Sequence, residues 1–225
     1  MKKLFIPLTI LTAAMFAYSP FAIANAPYES TMGLVQKIFY YHVPSWIGWY
    51  CGIVVCGVAS AIYLFTNRSV ADRLAVSAAE VTVMFGTIGL VTGPLWGRKA
   101  WGHYWVWDPR LTIALLTELI FVSYLLVRAY GGPGSDKLAA AVGMFGAVVS
   151  PFVYVAVNLW RTIHPLNTVV PNLLKGSMPG GELPFELSSL AFFCLFLLLL
   201  TMRFELANRQ AVLDELYLAD EDGAV

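Results

Sequence analysis

The sequence predicts an all-α membrane protein with six transmembrane helices in one bundle, and three observations carry that prediction. Hydrophobic residues make up 59% of the 225-residue chain and charged residues 12%, with a mean hydropathy of +0.70. That is more apolar surface than a soluble core can absorb, so a bilayer is the solvent. Six runs approach the roughly 20 apolar residues that a spanning helix needs. Their links alternate between short polar turns and longer connections, so consecutive helices are antiparallel neighbours and residues 1–225 form a single membrane domain.

The first run, Leu4 to Ala24, follows Lys2 and Lys3 and ends Ala22-Ile23-Ala24, so it is either a first span or a cleaved signal peptide. The second, Trp46 to Thr66, is preceded by His42-Val43-Pro44-Ser45, in which Pro44 and Ser45 read as a helix start that aims the imidazole. The turn Asn67 to Arg73 leads to the third, Leu74 to Trp96. Asp108-Pro109 introduces the fourth, Leu111 to Val127, as an N-cap followed by proline at the first helical position. Direct ligand contact is the alternative role for Asp108. After Gly131 to Lys137 comes the fifth run, Leu138 to Leu159, and Phe185 to Met202 is the sixth. Residues 203–225 then turn polar and end in Asp214, Glu215, Asp220, Glu221 and Asp222, a solvated tail.

The long connections, residues 25–45, 97–110 and 160–184, share the side opposite the short turns. The turn side carries Lys2, Lys3, Arg68, Arg73, Arg128, Lys137, Arg203 and Arg209, against Lys37, Arg98, Lys99, Arg110, Arg161 and Lys175 on the other. Eight against six places the turns and the tail in the cytoplasm. The cluster of Arg98, Lys99 and Arg110 on the outer side wants an anionic partner. A net charge of zero gives no support to nucleic-acid binding. Cys51, Cys56 and Cys194 lie in apolar runs without a C-x-x-C, so neither a disulfide framework nor a zinc site is expected.

All seven tryptophans, Trp46, Trp49, Trp96, Trp101, Trp105, Trp107 and Trp160, lie in or beside the outer connections. An aromatic belt would decorate both membrane surfaces. The histidines His42, His103 and His164 fall one to each outer connection. Imidazoles to bind a metal, indole faces to cover a flat ring, and Arg98, Lys99 or Arg110 to pair with carboxylates together suit haem. No C-x-x-C-H is present, so thioether attachment is not expected. Gly93 to Lys99 superficially resembles a phosphate-binding loop, but its glycine spacing is one short and no Ser or Thr follows the lysine, so any ATP hydrolysis belongs to a partner. Glu80 and Glu118 lie within spans, where a carboxylate is costly; neither is assigned a role.

Trp101 to Asp108 matches W-G-x-x-W-x-W-D, the signature of the tryptophan-rich haem-handling membrane family. Leu90-Val91-Thr92-Gly93 through Trp96-Gly97, Arg110-Leu111-Thr112, Tyr41-His42-Val43-Pro44 and Trp160-Arg161-Thr162-Ile163-His164 resemble its CcmC branch, the haem exporter protein C family, from about Tyr40 to Met202. The resemblance implies that His42 and His164 are the axial ligands of a non-covalent haem b, with Trp101, Trp105 and Trp107 as its platform. It also implies a bacterial inner-membrane protein with a periplasmic haem site. Its partners would be the haem chaperone CcmE, the ABC transporter subunits CcmA and CcmB, and the small protein CcmD. Such a protein delivers haem and is not itself an enzyme, although haem becomes covalently attached to CcmE at its surface. The competing readings are a membrane b-type cytochrome, whose histidines would sit within spans, and a haem-permease subunit of an ABC transporter, which needs a polar path.

Overall fold

The computed structural model describes residues 2–28, 33–164 and 182–223. Most of the third long connection, with Pro165, Lys175 and Met178, lies outside the described residues. The described chain is helical: α1 (Lys2–Ala24), a 3-10 turn (Gly33–Ile38), α2 (Phe39–Thr66), α3 (Ser69–Trp101), α4 (Pro109–Tyr130), α5 (Ser135–Val149), α6 (Pro151–Leu159) and α7 (Glu182–Gly223). Six helical stretches are long and apolar enough to cross a membrane, with α5 and α6 together making one of them.

The helices overrun the apolar runs that announced them. At 1.5 Å per residue, the 28 residues of α2 and the 33 of α3 exceed the roughly 30 Å hydrocarbon core. Their ends therefore stand in the interface. The helix expected to start at Pro44 begins instead at Phe39, continuing the 3-10 turn, and holds His42 within it. Proline there forfeits one backbone bond near the helix end, and Ser45 Oγ donates to the His42 carbonyl at 2.7 Å. The span expected unbroken from Leu138 to Leu159 divides at Ser150, because Pro151 has no N–H to continue the ladder. Residues 203–223 prolong α7 as a helix that is exposed from Val212 to Asp220.

Asn67, in the left-handed region at φ 53°, turns α2 into α3, and these two helices pack most extensively together. Trp49, Ile53, Cys56, Phe85, Phe121 and Tyr124 form the centre of the bundle. Helix α1 lies against α7 through Met15, Ala191 and Cys194. It also touches α2, where the Ser19 and Tyr41 hydroxyls are 2.7 Å apart. The antiparallel α2–α3 pair brings the start of α2, the end of α3 and the end of α6 to one end of the bundle.

Candidate functional site

Two helices position His42. On α2 it lies one turn before Trp46, and across the interface it meets Thr92 near the end of α3. The ring is 6% exposed, its Nδ1 is 2.9 Å from Thr92 Oγ1, and Trp46 Nε1 donates to its Nε2 at 3.2 Å. An indole N–H can only donate, so Nε2 carries the lone pair and the imidazole proton sits on Nδ1. Thr92 can accept that proton because its own hydroxyl is directed to the Ile88 carbonyl at 2.7 Å.

Aromatic rings continue from there. His42 packs edge-on against Trp96 with ring centres 5.6 Å apart, Trp96 stacks on Trp101 at 6.4 Å, and Trp101 meets His164 at 6.0 Å. The histidines of the first and third connections thus bracket two tryptophans. His164 and Arg110 are also electrostatic neighbours of His42. Trp96 is 6% exposed, and its Nε1 is buried with no hydrogen-bond partner. A ring cluster whose imidazole lone pair is held only by an indole N–H, beside an unmatched buried donor, fits a flat, metal-bearing ligand.

The remaining predicted residues divide. Trp105 and Trp107 form their own edge-to-face pair at 5.8 Å, apart from the row containing Trp101, so the expected three-tryptophan platform is two aromatic groups. Trp107 is 76% exposed, and Trp105 Nε1 is another buried donor without a partner. The Asp108 carboxylate is committed to backbone: Oδ1 accepts from the N–H groups of Arg110 and Leu111 at 2.9 and 3.3 Å, and Oδ2 from that of Ile163 at 2.9 Å. It caps α4 and ties the second outer connection to the third, joining the end of the Trp-rich stretch to the residue before His164. Arg98 donates to the Gly102 carbonyl at 2.6 Å and lies over the Tyr104 ring. Lys99 and His103 are exposed, and Arg110 is half-buried with Tyr50 and Tyr154 as electrostatic neighbours. An open depression of about 600 Å³ lies between Trp107 and Arg161, Thr162 and Ile163.

Sequence reasoning missed Thr92, Trp46 and Trp96 as partners of His42. The signal was present as spacing: His42 and Trp46, like Thr92 and Trp96, are one helical turn apart, with glycines at 89, 93 and 97 on the facing helix. A Cβ on Gly93 would stand 3.2 Å from His42 Cε1, and one on Gly89 would stand 2.5 Å from the Trp46 ring. Glu80 pairs with Arg203 at 2.5 Å. Glu118 Oε2 accepts from Trp49 Nε1 at 2.7 Å, while its Oε1 is buried without a partner.

A family model described as haem exporter protein C matches residues 1–216. The haem exporter protein C of Bradyrhizobium diazoefficiens is 33% identical over 208 residues, covering 90% of this chain and 79% of that protein. The protein of the same name from Escherichia coli K12 is 31% identical over 181 residues, 79% of this chain and 72% of its own. A putative cytochrome c biosynthesis ccmC-like mitochondrial protein of Marchantia polymorpha is 30% identical over 145 residues, 64% and 61% of the two chains. The family match takes in α1 and most of α7, beyond the motif-bearing stretch from Tyr40 to Met202.

Proposed function

The chain belongs to the haem exporter protein C family, and from that membership we propose that it binds haem b, non-covalently, at the outer face of the bacterial inner membrane and hands it to the chaperone CcmE for cytochrome c maturation. His42 and His164 are the iron ligands in this reading. The observation that carries it is the neutral His42 imidazole, its Nε2 lone pair set by Trp46 and Thr92, in a row of rings that ends at His164. Trp101 covers the ring, and Trp105 with Trp107 offers a second, more exposed surface toward the chaperone. Lys99, Arg98 and Arg110 supply positive charge for the propionates. Asp108 acts indirectly, holding His164 in reach through Ile163. CcmA, CcmB and CcmD complete the release complex. Haem is cargo here, and the residues bind, orient and shield it without transforming it.

The purified protein should carry acid-extractable haem with a low-spin, six-coordinate spectrum, since two imidazoles are strong-field ligands. His42→Ala and His164→Ala should each turn it high-spin, with added imidazole restoring low spin; His103→Ala should stay low-spin. Covalently retained haem, or none under haem-replete expression, would count against haem delivery. A high-spin, imidazole-rescued His103→Ala beside a low-spin His164→Ala would move the second axial bond to the tryptophan-rich connection.

A further inference from the structure

We propose that Trp46 and Thr92 act as opposed partners of His42: Thr92 fixes the tautomer that presents Nε2 to iron, while the Trp46 indole N–H competes with iron for that lone pair. The inference rests on the reading of His42 as an iron ligand. It makes Trp46 a determinant of haem release and Thr92 a positioning residue.

The two contacts have different chemistry. The Thr92 hydroxyl, committed to the Ile88 carbonyl, accepts the Nδ1 proton beside the Gly89 backbone carbonyl and so strengthens Nε2 as a donor to metal, as outer hydrogen bonds to ligating histidines do. The Trp46 contact uses the Nε2 lone pair itself. The indole is also well placed to persist there. It sits edge-on to His42 with ring centres 6.0 Å apart and to Trp49 at 4.9 Å, and it lies so close to the α3 backbone that only glycine fits at position 89. Iron binding therefore breaks one Nε1–H···Nε2 bond and forms one Nε2–Fe bond, with no proton or electron transferred. A carrier that must surrender its cargo gains from such a competitor, because the indole can return to Nε2 as the iron leaves.

The test uses the full-length protein in detergent, loaded with haem, and measures the rate of haem transfer to apomyoglobin together with the spectrum and the reduction potential. Trp46→Phe should keep the low-spin spectrum and slow haem loss by about three- to tenfold, the worth of one net hydrogen bond. Trp46→Met, which lacks both the N–H and the ring shape, should shift the rate in the same direction. Thr92→Val should speed loss by at least roughly tenfold and raise the reduction potential, since a weaker imidazole donor stabilises ferric iron less; Thr92→Ser should restore both. Unchanged or faster loss in both Trp46 variants, or a Thr92→Val protein with wild-type potential and rate, overturns the inference while leaving His42 as ligand. A His42→Ala protein that stays low-spin overturns the ligand assignment itself, and this inference with it.

Discussion

The two ends of the bundle handle buried polarity in opposite ways. At the end formed by the short turns, charge is met by charge. Arg128, in the last turn of α4, donates to both oxygens of Asp72 at 3.1 and 2.8 Å and to Asp136 at 2.6 Å. Both carboxylates lie in first turns, of α3 and α5, where they also complement the helix dipoles. Arg203 on α7 pairs with Glu80 on α3, and Arg73 Nε donates to Asn208 at 2.7 Å. At the histidine end the buried Asp108 carboxylate is met by backbone N–H groups and His42 by uncharged side chains, and two indole donors, on Trp96 and Trp105, have no partner. A matched network locks helices together. Unmatched indole donors beside a histidine leave a place where a ligand can supply what the protein withholds.

Substitutions at the two ends should therefore separate stability from haem retention. The largest effect is expected at the paired end. Arg128→Ala leaves Asp72 and Asp136 facing each other without their cation, and should cost about 2 kcal/mol, between the worth of an exposed and a buried pair, read as a lowered melting temperature in detergent. The fraction that stays folded should keep a wild-type haem spectrum. Loss of the spectrum in that folded fraction would break the comparison.

An intermediate effect is expected where Asp108 joins the outer connections. Asp108→Ala removes the cap of α4, worth about 1 kcal/mol, and also the tie to the Ile163 amide. It should lower haem occupancy out of proportion to its modest effect on melting, and the spectrum should show partial high-spin character as His164 loosens. A variant that melts early yet holds haem normally would reduce Asp108 to a cap.

The smallest effect is expected at Gly93→Ala. Its new Cβ would stand 3.2 Å from His42 Cε1, close enough to tilt the imidazole but not to unfold the helix pair. It should change melting by less than about 1 kcal/mol and still alter the haem absorption band. An unchanged band would mean that the ring has room to shift, and that the site is less tightly built than its contacts suggest.

The architecture was legible because each element answers to a local rule. Apolar runs long enough to span, separated by Asn67 or by the glycines after Tyr130, determine six helices and their antiparallel order whatever packs against them. Asp108-Pro109 likewise read correctly as a helix start, since capping needs only the residue and the amides that follow it. The same locality misled at Pro44, taken as a beginning. Whether a proline opens a helix or merely costs it one bond depends on the preceding 3-10 turn and on the packing of Tyr40 and Phe39 beneath it.

What the sequence by itself determined is the fold class, the clustering of tryptophans and histidines in or beside the long connections, and through its motifs the family. Only the tertiary structure decided which of those rings meet. Trp101 joins His42 and His164 through Trp96, whereas Trp105 turns to Trp107, and Asp108 spends its second oxygen on a residue 55 positions away. Thr92 became a partner of His42 only when α2 lay against the glycine-lined face of α3. The reason is geometric. Periodicity and capping act within a turn or two of chain, but ring contacts and side-chain hydrogen bonds are fixed by the distance and rotation between helices, which no single segment encodes.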